Sequence, residues 1–231
     1  QAYWGHEYFR LLVDAEIAGF GYRTLVVSPA DRYAARTNEP SFRLDHPAVR
    51  VLENEYVRAS FDPDNAQLVS LVDKKTGAEL LDGAAGFRFI EESPAEGMTA
   101  WRVGRYSAVR PVAEGVRFRE TIDGPLMQGF RYDCDVANSR LHVLVTLGKH
   151  DRLVRFETSV EWRELGTAET CIPQLQYYLP VRGGSGKTVY DVLNGELVRA
   201  EYNDDVPSLS YAVSLTGEGG LMLTSDSKYG F

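Results

Sequence analysis

The chain of 231 residues has two cysteines, Cys134 and Cys171. They are too few for a disulfide framework and sit in no CxxC spacing. Two buried free thiols are expected and a single bridge is the alternative. A reactive thiol fits least, because no His or Lys cluster adjoins either position. No Asn-x-Ser/Thr sequon occurs, and no basic stretch leads into an apolar core at the start, so nothing reads as a secretory signal. A reducing, cytoplasmic setting is the expectation. Apolar runs stop at about three residues, as in Leu11-Leu12-Val13, where a membrane-spanning helix needs about 20. Positive charge is also short: 25 Lys and Arg face 33 Asp and Glu, a net charge of −8. That balance repels phosphate backbones, so neither nucleic acid nor membrane is an expected partner. No apolar stripe of helical period holds for three turns. The chain opens on Gln1 rather than Met, which reads as a fragment or processed product.

Alternation of period two is what the sequence does have. In 152–163, Val154, Phe156, Thr158, Val160 and Trp162 point one way, while Arg155, Glu157, Ser159, Glu161 and Arg163 point the other. This predicts a strand with one buried and one wet face, and places Trp162 in the core. Leu141, Val143, Val145 and Leu147 repeat the pattern, and residues 116–122 repeat it weakly. Further strands are expected over 9–13, 22–28, 56–61, 67–72, 87–90, 130–136, 175–181, 189–192, 209–215 and 220–224. Asp62-Pro63-Asp64-Asn65, Asp73 to Gly77, Ile122 to Pro125 and Gly183 to Gly186 read as turns. Short strands with little helix predict an all-β antiparallel sandwich. The expected organisation is the end of a small β-domain over 1–30, a charged, proline-punctuated linker over 31–46, and a large sandwich over 47–231.

Motifs that suggest chemistry are few. Gly186-Lys187-Thr188 lacks the phosphate-loop glycine five positions earlier, where Val181 stands, and a strand rather than a helix follows; Gly183 to Gly186 is therefore read as a hairpin loop. Asp62 to Gln67 fails calcium-loop spacing at Ala66. The histidines His6, His46, His142 and His150 form no HxH or HxxxH pair, so no metal site is expected in this chain. His142 lies opposite the apolar face of its strand, and proton transfer there would need a carboxylate beside it. Glu91-Glu92 and Asp204-Asp205 are neighbours that point to opposite faces, read as solvated charge. No catalytic residue is assigned. Trp101, Arg102 and Tyr106 form the candidate carbohydrate-binding group, since an aromatic with an adjacent Arg can stack on a sugar and bond its hydroxyls; a core aromatic is the plainer reading of Trp101.

Several stretches, taken in order, resemble the C-terminal β-region of glycoside hydrolase family 38, the α-mannosidase family. They are Ile17 to Val27, Leu52 to Val57 with Phe61-Asp62, the strand and turn Leu68 to Leu80, Thr99 to Gly104, Arg155 to Glu164, and the closing Asp226-Ser227-Lys228-Tyr229-Gly230-Phe231. Within Thr99 to Gly104, Thr99 and Arg102 replace two acids of the family pattern. The resemblance implies a galactose-mutarotase-like supersandwich, here lacking some strands. It also implies that zinc and the Asp nucleophile reside in a barrel that is a separate part of the parent polypeptide, so no cofactor is expected in this chain.

The leading expectation is a non-catalytic region that supports the catalytic barrel of an α-mannosidase-like hydrolase and edges its mannoside cleft. A stand-alone carbohydrate-binding module and an aldose-epimerase-like enzyme are the alternatives. Absent strands would leave edges and apolar surface open, so self-association is also expected.

Overall fold

The computed structural model describes residues 2–3, 6–7, 11–26, 51–97, 103–200, 205–217 and 219–231. In chain order the strands are β1 (Ala2–Tyr3), β2 (His6–Glu7), β3 (Val51–Glu53), β4 (Val57–Phe61), β5 (Leu68–Asp73), β6 (Ala78–Glu79), β7 (Gly86–Glu92), β8 (Tyr106–Pro111), β9 (Arg117–Asp123), β10 (Met127–Val136), β11 (Ser139–Gly148), β12 (Val154–Glu161), β13 (Ile172–Tyr178), β14 (Gly184–Val192), β15 (Gly195–Ala200), β16 (Tyr211–Thr216) and β17 (Gly219–Thr224). Helix among the described residues is limited to a 3-10 turn at Pro94–Glu96, capped by the Ser93 hydroxyl. The sheets run β1-β2, β3-β4-β5-β6, β12-β11-β10-β9, β13-β7-β8 and β15-β14-β16-β17, with every strand pair antiparallel. The expected all-β antiparallel sandwich is the observed fold.

Local chemistry explains the turns. Asp62 Oδ1 accepts from the Asp64 and Asn65 amides at 2.8 and 3.1 Å, an Asx turn rather than a calcium loop. Asp73 Oδ1 accepts from Lys75 N–H at 2.8 Å, and Gly77 at φ 75° closes the β5–β6 reversal, a conformation open to glycine. The acid of this stretch is structural. Glu79 takes the Ser70 hydroxyl at 2.5 Å and the Leu71 and Leu81 amides at 2.9 and 3.0 Å. Burial raises the Glu79 carboxyl, but these hydrogen bonds outweigh it and hold it below its ordinary value.

The core forms where the β3–β6 and β9–β12 sheets face each other. Phe130, Tyr132, Cys134 and Val136 of β10 and Leu141, Val143, Val145 and Leu147 of β11 are buried in one cluster with Leu52, Ala59, Phe61, Leu68 and Leu71. Phe61 meets Phe130 edge-on, with ring centroids 4.9 Å apart, a favoured aromatic geometry. Gly129 lets β10 approach β11 closely: a Cβ there would lie 2.3 Å from the Val145 carbonyl. The β13-β7-β8 sheet joins through Tyr177, whose ring lies 5.0 Å from Phe87 and 5.2 Å from Phe156. Both cysteines are free, Cys134 buried and Cys171 half-buried. Burial, reinforced by Asp135 and Asp133, pushes the Cys134 thiol up to about 12.

Four expectations are corrected. Residues 11–13 and 22–26 form no strand and are exposed, because no described segment supplies them with a partner ladder. Gly184 begins β14 instead of belonging to a hairpin loop: it pairs with Thr216, and the register shifts between Gly184 and Thr188, so these glycines mark a strand irregularity. Val160 and Trp162 are 42% and 38% exposed, because the tail of edge strand β12 runs past the covered part of the core. Glu92 is 1% exposed rather than solvated. The linker over 31–46 lies outside the described residues.

Candidate functional site

The second face of the β13-β7-β8 sheet gathers polar groups from three distant parts of the chain. Phe87 and Phe89 of β7 face inward, so alternation turns Arg88, Ile90 and Glu92 the other way. Their register partners are Gln176, Gln174 and Ile172 on β13 and Pro111, Val109 and Tyr106 on β8. Direct partners in an antiparallel ladder share a face, so Tyr106 belongs to the row that holds Glu92. Of the expected sugar-binding group, Tyr106 is exposed on β8, whereas Trp101 and Arg102 lie outside the described residues.

Glu92 ties the chain just before β8 to the end of β7. Its Oε1 accepts from Gly104 N–H at 2.6 Å, and its Oε2 accepts from the Gln174 amide. Ser93 N–H donates to the Arg105 carbonyl at 2.8 Å and closes the loop one step further on. Gly104 suits this close approach: a Cβ there would stand 3.0 Å from the Ser93 carbonyl and 3.1 Å from Glu92 Oε1, and those neighbours would have to give. With both oxygens engaged and no exposure, Glu92 is placed to hold structure rather than to exchange a proton with a substrate.

A second polar constellation lies on the outer face of the β9–β12 sheet. Asp133 and His142 are direct partners across β10 and β11. Asp133 is 7% exposed; its Oδ1 lies 2.7 Å from His142 Nδ1, and its Oδ2 accepts from Arg119 Nε at 2.7 Å. Arg119 reaches it because the β9–β10 register shifts beside Tyr132. Glu161 Oε1 stands 3.8 Å from His142 Nε2. Burial raises the Asp133 carboxyl, but its bonds to His142 and Arg119 and the charge of these partners outweigh that and depress it.

The depressed folded value sets the sign of a pH effect. The native carboxylate binds its proton less tightly than the unfolded one, so its contribution is full above about pH 4 and is lost as pH falls through the depressed value. Asp133→Asn is expected to cost about 1–3 kcal/mol at pH 7, with the deficit shrinking near pH 3; urea melts of both proteins at the two pH values measure this.

Among the described residues, no opposed pair of acids lines either of two cavities. A cavity of about 350 Å³ is lined in part by Glu53, Glu55 and Lys149. Both acids come from the single β3–β4 reversal. The hydrogen bond from Lys74, 2.7 Å away, holds Glu53 below its ordinary value despite some desolvation, and Glu55 Oε1 stands 3.4 Å from His150 Nδ1. Glycosidic cleavage needs two carboxyls flanking one bond. His142 and His150 do adjoin carboxylates, yet neither this cavity nor a smaller one of about 240 Å³ is lined by a histidine. No three His, Cys, Asp or Glu side chains gather as a metal site among the described residues.

The glycosyl hydrolases family 38 C-terminal domain matches residues 52–231. The chain belongs to this family. No curated protein matches it. The family 38 match spans every strand from β4 to β17 and therefore both polar constellations. It upholds the resemblance carried by Leu68 to Leu80 and Asp226 to Phe231, and makes this a glycoside hydrolase family 38 region. Sequence reasoning missed Arg88, Gln174, Gln176 and Tyr178. Glu92 and Gln174 meet across 82 positions, and no local spacing signals such a contact.

Proposed function

We propose that this chain is a non-catalytic β-sandwich region of an α-mannosidase-like hydrolase. It buttresses a catalytic barrel of the same polypeptide and lends the segment Trp101, Arg102 and Tyr106 to the edge of the mannoside cleft. The match to a C-terminal domain over residues 52–231 carries this proposal. The engagement of Glu79, Glu92 and Asp133 in structural hydrogen bonds supports it. A sheet bonded through to its edges is a rigid base from which a loop can be presented. On this reading the zinc and the nucleophile belong to the barrel. The described residues here do not fit the metal, since their His, Cys and carboxylate groups do not converge in threes.

The test is hydrolysis of a chromogenic α-mannoside by the isolated chain with added zinc. Release of product no faster than the uncatalysed blank is expected. Turnover in the ordinary enzymatic range, about 1–1000 per second, would overturn the non-catalytic assignment.

A further inference from the structure

Two arginines among the described residues are half-buried, Arg88 and Arg117. Arg117 grips Asp135 with both terminal nitrogens, at 3.1 and 2.9 Å. Arg88 makes no ion pair with a described carboxylate, in a chain that carries 33 acidic residues. Its guanidinium lies over the Tyr178 ring instead, 3.2 Å from the centroid. Stacking engages the face of the guanidinium and leaves its N–H donors without a described acceptor.

A cavity of about 240 Å³ adjoins this group, lined by Gln67, Ala84, Gly86, Arg88, Val109 and Pro111. Gly86 stands close to the glutamine: a Cβ there would lie 3.2 Å from Gln67 Cγ, and the side chain of Gln67 would have to shift. The volume falls below the roughly 300–1000 Å³ of sites for drug-sized ligands and suits a single sugar-sized molecule.

We propose that this cavity binds a small hydroxylated carboxylate of the uronic-acid class. The planar guanidinium matches a carboxylate with two parallel N–H···O bonds. Tyr178 stacks beneath it and holds that plane. The Gln67 carboxamide can both donate to and accept from hydroxyls, and Ala84, Val109 and Pro111 offer an apolar wall to the carbon skeleton. A single cation in the lining suits a monoanion better than a phosphate dianion. This assignment is independent of the mannosidase proposal: it concerns other residues and needs no barrel.

The experiment is calorimetric titration of the full chain with glucuronate, glucose and inorganic phosphate. Glucuronate is expected to saturate with a Kd on the order of 1 mM or below, and glucose, which has the same ring without the charge, to bind at least about tenfold more weakly. Arg88→Met is expected to weaken glucuronate at least about tenfold. Arg88→Lys keeps the charge and loses the fork, and is expected to weaken it several-fold while preserving the β-sheet circular dichroism. The comparison of glucuronate with glucose on the unaltered chain needs no variant to fold. Equal binding of the two sugars, tighter binding of phosphate, or no saturation by about 50 mM glucuronate would each overturn the proposal.

Discussion

Replacing Phe130 with alanine is expected to remove about 3–5 kcal/mol of stability, a large share of the roughly 5–15 kcal/mol that holds a domain together. Phe130 is 1% exposed. It touches three aromatic neighbours, with centroids 4.9 Å away at Phe61, 5.8 Å at Phe118 and 6.1 Å at Tyr132. Phe61 belongs to the opposite sheet, so the ring is where the two layers grip. Removing it loses the transfer free energy of the ring and leaves a void. Stiff β-sheets collapse into such a void poorly, since each backbone is tied to its neighbours. Urea melts should show a lower midpoint at an unchanged slope, which marks lost stability rather than a changed unfolded state. Phe130→Leu keeps most of the volume and should cost less than about 1.5 kcal/mol. An alanine variant within about 1 kcal/mol of the parent would mean that the sheets do not close on this ring.

The layers were legible because burial in a sheet follows a period of two. Leu141, Val143, Val145 and Leu147 recur at every second position, and all four are buried. The same rule misplaced Val160 and Trp162. Alternation distinguishes two faces of a strand but carries no information on how far the facing layer extends. It failed at Glu92 for a related reason. Neighbouring acids do point to opposite faces, and Glu91 meets Arg110 while Glu92 turns into a buried niche. What satisfies the carboxylate there is Gly104 and Gln174, contributed from 12 and 82 positions away. Glycines misled at Gly183 to Gly186, where a positive φ at Gly186 permits an irregular strand rather than a loop. Of the expected group Trp101, Arg102 and Tyr106, only Tyr106 lies among the described residues of this site. The site's other members are assembled by pairing β7 with β13, and the sequence gives no local sign of that partnership.

Glu92→Ala tests whether a buried carboxylate fastens the base of the loop before Tyr106. Two donors converge on it, the Gly104 amide and the Gln174 carboxamide. Removing the acceptor leaves both donors facing a site closed to solvent at Glu92, at about 1–3 kcal/mol for each unsatisfied group, and opens a void as well. A loss of about 3–5 kcal/mol is expected. Glu92→Gln separates charge and acceptor count from shape. It fills the same space, but one of its two terminal atoms becomes an NH2 that faces a donor, so about half that loss is expected. Hydrogen exchange adds a local readout. The Gly104 amide should be protected in the parent and exchange faster in the alanine variant by more than amides in β10 and β11, because the loop base can then open without global unfolding. Coupling should appear in a double-mutant cycle with Gln174→Ala, whose effect should shrink once Glu92 is gone. An alanine variant of unaltered stability with Gly104 still protected would show that the backbone pair between Ser93 and Arg105 holds the loop unaided. The carboxylate would then be a passenger of the fold.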